Sequence, residues 1–165
     1  MFWVSAEAMH ALTVDELSPI NAEATDKKVI VDVNKQTLSC YEGNNEVYFC
    51  RISSGVKTGS TPPGEHSIWR KLISLHMSGG TTGGGYDLIG IGWTTLFVGE
   101  GVAIHSTFWH NNFGEPESHG CVNARPDDAR WIFRWTRPAV SYEPGDLTIS
   151  GLGNSSKVKI IEAGY

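Results

Sequence analysis

Apolar and polar positions alternate along the first third of the chain. In VIVDVNKQTLSCYEG, residues 29–43, apolar side chains recur at every second position on either side of Asn34 and Lys35. That period of two predicts two strands joined by a tight turn. Gly43, Asn44 and Asn45 predict the next turn, and EVYFCRISSG a third strand. TGSTPPGEHSIW reads as a Gly- and Pro-punctuated loop followed by a short strand over 66–69. MSGGTTGGGY, residues 77–86, holds five glycines in ten positions and predicts a loop without regular structure. LIGIGWTTLFVGEGVAIHSTF returns to strand patterning with glycine breaks, and NNFGEPES is a turn-rich connection.

A helical period appears at PDDARWIFRW, residues 126–135. Pro126 suits a first helical position, Asp127 and Asp128 suit the positive end of the dipole, and Pro138 enforces a stop. Trp131 and Trp135, four apart, share one face. DLTISG and KVKIIEAG predict closing strands. The expected architecture is mainly β, a sandwich or barrel-like sheet with one short helix, its Gly-rich loop overhanging a cleft.

At 165 residues the chain suits one ordinary domain. A net charge of −5, with no basic cluster longer than two residues, argues against a nucleic-acid partner. No apolar run approaches the roughly 18 residues of a membrane span. MFWVSAEAMHALTVDELSPI lacks the cationic start and long apolar stretch of a signal peptide. Its FWV reads as the last strand of a preceding module. Residues 1–27 are therefore expected to be an N-terminal extension, with the main domain over 28–165. Cys40 and Cys50 flank the predicted hairpin; with a suitable register they face one side and can pair, and a one-residue slip separates them.

AIHSTFWHNNFGEPESHGCVN, residues 103–123, concentrates the candidate chemistry. His105, His110, His119 and Cys121 admit three readings. They can ligate a metal, fill a core, or run nucleophilic chemistry. Zinc accepts imidazole and thiolate, yet Cys-x2-Cys, His-x3-His and H-E-x-x-H spacings are absent. A buried structural cysteine fits poorly with the Ser118-His119-Gly120 that precedes Cys121. A nucleophilic thiol needs an imidazole within about 3 Å, and an imidazolium there would convert thiol to thiolate. In an extended SHGCV, His119 lies about 7 Å along the strand from Cys121. Antiparallel pairing of VAIHST with SHGCV would instead set His105 against Cys121. His105 is thus the expected base, Ser106 its orienting group through hydroxyl or carbonyl, and Gly120 and Cys121 the N–H donors to an oxyanion. His110 and the tryptophans are expected to be packing or cleft walls.

His105, a variable connection and then SHGCVN resemble the catalytic signature of the L,D-transpeptidases of the YkuD type. ISSGVKTGSTPPGEH resembles that family's Ser-x-Gly…Thr-Pro-x-Gly stretch, HMSGGTTGGGYDLIGIGW its active-site lid, and VIVDVNKQTLSCYEG its opening hairpin, over roughly residues 28–150. FWVSAEAMHALT is similar to the end of a bacterial SH3-like wall-binding module. The resemblance implies a β-sandwich of mixed sheets. It implies Cys121 as nucleophile, His105 as proton carrier, Ser106 orienting it, and an oxyanion hole at Gly120 and Cys121. Tyr86 matches a lid tyrosine, and Gly101, Ser118, His119 and Asn123 would line the substrate pocket. The implied partners are donor and acceptor stem peptides of peptidoglycan, with no metal or organic cofactor. The implied reaction cleaves the bond between the diamino acid L-centre and D-alanine of a tetrapeptide stem, forms a thioester and passes the acyl group to an amine. Such an enzyme would work outside the cytoplasmic membrane, and carbapenems would acylate its cysteine. Two alternatives stay open: a carboxypeptidase or hydrolase using the same thioester, and a silent wall-binding module.

Overall fold

The computed structural model describes residues 5, 7, 11–79, 85–99 and 101–163. Two five-stranded mixed sheets and one helix build the fold. The first sheet contains β1 (Lys27–Asp32), β2 (Thr37–Glu42), β3 (Asn45–Arg51), β4 (Gly64–Ser67) and β10 (Lys157–Ile161), in the order β3-β2-β1-β10-β4. The second contains β5 (Arg70–Gly79), β6 (Tyr86–Val98), β7 (Val102–Ser106), β8 (Val122–Ala124) and β9 (Asp146–Thr148), in the order β8-β7-β6-β5-β9. β1 pairs parallel with β10 and β7 parallel with β8; every other pairing is antiparallel.

The alternation read from 29–42 is the alternation of burial. Val29, Val31, Leu38 and Cys40 point inward, where they meet Phe97, Ile104 and Val122 of the second sheet and Ile132 and Trp135 of the helix. α1 runs Pro126–Trp135, with Pro126 in its first turn and the two aspartates beside it. Its Trp131 and Trp135 stack, with ring centroids 5.6 Å apart, and Trp131 continues the stack onto Tyr48 at 4.0 Å. Two buried lysines hold the helix end. Lys71 Nζ donates to the carbonyls of Phe133, Thr136 and Pro138 at 2.7–2.8 Å. Lys27 Nζ donates to those of Ile20 and Trp135.

Several expectations need correction. The Gly-rich loop is shorter than 77–86, because β5 continues through Gly79 and β6 begins at Tyr86, with Met77 opposite Leu88 and Gly79 opposite Tyr86. Backbone pairing carries a glycine that propensity alone disfavours. Residues 80–84 lie outside the described residues, as does most of FWVSAEAMHALT. The strand expected at 66–69 is β4, which ends at Ser67. VAIHST and SHGCV do not pair antiparallel: β7 and β8 run parallel, His105 facing Asn123. The intervening chain is long enough for the crossover that a parallel pair requires. Cys40 and Cys50 are free thiols; the register sets Cys40 against Tyr48 and Cys50 against Leu38. No helix among the described residues is long and apolar enough to cross a membrane.

Candidate active site

The cysteine loop is built by a second loop beneath it. Ser53 exchanges backbone hydrogen bonds with Asn123, the Ser54 carbonyl accepts the N–H groups of Glu117 and Ser118, and Val56 N–H donates to Ser118. Thr61, buried, ties the two loops together: its Oγ1 accepts from Gly55 N–H at 2.9 Å and donates to the Gly120 carbonyl at 2.8 Å. Gln36 underpins Ser54, donating to its hydroxyl and accepting from its N–H. The contact is so close that a Cβ on Gly120 would lie 2.6 Å from the Ser60 carbonyl oxygen. Glycine before Cys121 is therefore a steric requirement.

Cys121 and His105 open on one cavity of about 330 Å³. His105 lies on β7 opposite Asn123, and Cys121 sits in the bend just before β8. Tyr86, Gly101, Ser118, His119, Gly120 and Asn123 also line this cavity. Ser106 does not; it sits behind the base, buried. His105 Nδ1 hydrogen-bonds the Ser106 carbonyl at 2.9 Å, which as an acceptor fixes the proton on Nδ1 and leaves the Nε2 lone pair free. The Ser106 hydroxyl is engaged elsewhere, accepting the Gly92 N–H at 3.1 Å.

Burial lowers the His105 pKa to about 4, against the pull of the Ser106 carbonyl, which favours the charged ring. The enclosing walls push the Cys121 thiol above its usual value, with only the Ala103 backbone acting the other way. The thiol donates to the Gly101 carbonyl at 3.2 Å. Burial thus favours the uncharged form of each group. Within the motif, Ser118 Oγ accepts the Gly120 N–H at 3.0 Å and donates to the Cys121 carbonyl at 2.6 Å. The Gly120 N–H, an expected oxyanion donor, is thus occupied at rest.

The sequence reading missed several groups. Met77 and Leu88 face the cavity from the β5–β6 hairpin, and Val102 from β7. Trp109, expected as packing or a cleft wall, lines the cavity with its ring 5.9 Å from that of His105. Among the described residues of the lining, Glu117 carries the one formal charge, and its carboxylate accepts from Asn112 Nδ2 at 2.6 Å. His110 reaches the site indirectly, its Nε2 meeting the Asn123 side-chain amide at 2.9 Å. Tyr86 and His119 face each other across the mouth, ring centroids 5.7 Å apart. Among the described residues no group of three or more His, Cys, Asp or Glu is placed to share a metal.

A family model for the L,D-transpeptidase catalytic domain, YkuD, matches residues 26–160. The chain belongs to this family. Solved L,D-transpeptidases share its fold. The enzyme from Mycobacterium smegmatis aligns with a TM-score of 0.66 at 20% identity, covering 83% of this chain and 59% of that one. A Cys-to-Ser mutant of the Enterococcus faecium L,D-transpeptidase aligns at 0.63 and 23% identity, covering 82% and 50%. The Mycobacterium tuberculosis L,D-transpeptidase 3 carrying a faropenem-derived adduct aligns at 0.63 and 21%, covering 82% and 60%. The chain thus spans about half to three fifths of these relatives. Among curated proteins, none matches. The family's mixed β architecture, with one helix, is the one described above. In this member of the family, His105 of β7 and Cys121, just before β8, line one cavity.

Proposed function

We propose that this L,D-transpeptidase domain cross-links peptidoglycan stems outside the cytoplasmic membrane through a thioester on Cys121. The observation that carries the reading is the pair itself. Cys121 and His105 share a cavity, and the Nδ1 bond to Ser106 leaves His105 Nε2 as a proton acceptor.

In the first half-reaction His105 Nε2 takes the Cys121 proton as sulfur attacks the carbonyl between the diamino acid L-centre and D-alanine. Starting from a neutral pair, proton transfer accompanies attack. The negative oxygen is met by the Cys121 N–H and by the Gly120 N–H once Ser118 Oγ releases it. Collapse expels D-alanine, whose nitrogen receives the proton from His105, and leaves the thioester. In the second half-reaction an amine of a neighbouring stem attacks, His105 accepts its proton, and the thiol regains that proton as the amide forms. Tyr86, Gly101, His119 and Asn123 would hold the stem, and no metal or organic cofactor enters the scheme.

Glu117 favours an amine over water as acceptor. A free amine arrives as an ammonium, and Glu117 is the charged group on the cavity lining suited to bind it. Hydrolysis of the same thioester is the second reading and would need no such group. Incubation with a disaccharide-tetrapeptide, followed by mass spectrometry, tests the proposal. The expected products are free D-alanine, a cross-linked dimer and a protein adduct on Cys121 that Cys121→Ala lacks. Cross-linking by Cys121→Ala at the native rate would end this reading. A carbapenem is expected to label the same residue.

A further inference from the structure

A second cavity, of about 790 Å³, adjoins the catalytic one, and Trp109 lines both. Its wall is the start of the β7–β8 crossover together with the start of α1. Its lining carries the carboxylates of Asp127 and Asp128, the latter accepting from the Tyr48 hydroxyl through Oδ1. Carboxylates are acceptors for hydroxyl donors. Beside them, Phe108 stands 66% exposed, edge-to-face with Trp109 at 5.2 Å. Arg125 lies over the ring of Phe113.

The charges select among ligands. Asp127 and Asp128 oppose a phosphate or carboxylate, and Arg125 in the same cavity opposes a cation. A neutral polyol satisfies all three, its hydroxyls meeting the guanidinium and the carboxylates and its C–H face lying on the aromatic rings. Resting on the stem-peptide reading above, we propose that this cavity is a subsite for a sugar ring of the glycan strand that bears the donor stem. The geometry of the substrate agrees. The acylated carbonyl belongs to the third stem residue, and three extended residues span roughly 10 Å from the sugar. A stem held on Cys121 can therefore pass Trp109 and seat its sugar in the neighbouring cavity.

The test compares the disaccharide-tetrapeptide with the same tetrapeptide lacking sugar. The native protein is expected to show a kcat/KM about tenfold or more higher for the sugar-bearing donor. Phe108→Ala and Asp127→Asn, both on exposed side chains, are expected to erase that preference while turning over the bare tetrapeptide at the native rate. Equal use of the two donors by the native protein, or equal losses on both in the variants, overturns the subsite and leaves the transpeptidase reading intact. A titration that needs no turnover separates the two ideas from the other side. Adding an N-acetylglucosamine tetrasaccharide is expected to shift the NMR signals of Thr107, Phe108 and the Trp109 indole, and silence there also overturns the subsite. Failure of a carbapenem to label Cys121 would count against the transpeptidase reading alone.

Discussion

His105 commits its Nδ1 to the Ser106 carbonyl, and its ring lines the cavity. Because the orienting acceptor is main chain, Ser106→Ala keeps it and loses only the bond from Gly92. The expected kcat/KM of Ser106→Ala is within about tenfold of native, while His105→Asn loses on the order of 10²–10⁴, the usual worth of a general base. The acylation rate of Cys121 reads both. Activity should also switch on at unusually low pH. With the imidazole pKa near 4, the base is already deprotonated at pH 5, so the acid limb of kcat/KM is expected near 4 and not near 6.5. At the cavity lining, Glu117→Gln is expected to lower the ratio of cross-link to hydrolysis about fivefold, measured with saturating amine, because an ammonium then meets a neutral amide. Cys121 and His105 were legible as residue types in a motif, and the fold brings both to one cavity. Glu117 carried no such signal, since a glutamate in a turn-rich stretch is ordinary until the crossover folds it against the cavity.

Among the elements, β1, β2 and α1 were readable because each obeys one local period and ends on clear turn or proline signals. The relation of β7 to β8 was not. A long connection suits either direction of pairing, and only the full register shows that it crosses over. The support beneath the cysteine was half legible: the ISSGVKTGSTPPGEH stretch resembled the family, yet nothing local revealed that Thr61 clasps Gly55 to Gly120. Two substitutions examine these elements. Gly120→Ala sets a methyl against the Ser60 backbone, so the loop must shift; the expected result is a folded protein whose Cys121 acylation falls at least about a hundredfold, a displacement of order 1 Å sufficing. Lys71→Met strips the ammonium from the Phe133, Thr136 and Pro138 carbonyls and is expected to cost about 2–4 kcal/mol in urea unfolding.

At the scale of the whole molecule, the buried imidazole makes stability depend on acidity. His105 binds its proton with a pKa near 4 when folded and near 6.5 when unfolded, so between those values the unfolded chain holds more protons. Stability is then complete above pH 6.5 and declines as pH falls toward 4, by on the order of 3 kcal/mol for this group. Urea midpoints between pH 7 and 4 should show the decline, and His105→Asn should flatten it. The placement of β10 has a different consequence. Lys157–Ile161 is wedged between β1 and β4, so the earliest strand of the first sheet completes its pairing only with the latest. During synthesis, the edge of β1 that pairs with β10 must wait on the ribosome until Lys157–Ile161 has emerged from the exit tunnel. Such a chain stays threadable for longer than one whose neighbours in space are neighbours in sequence.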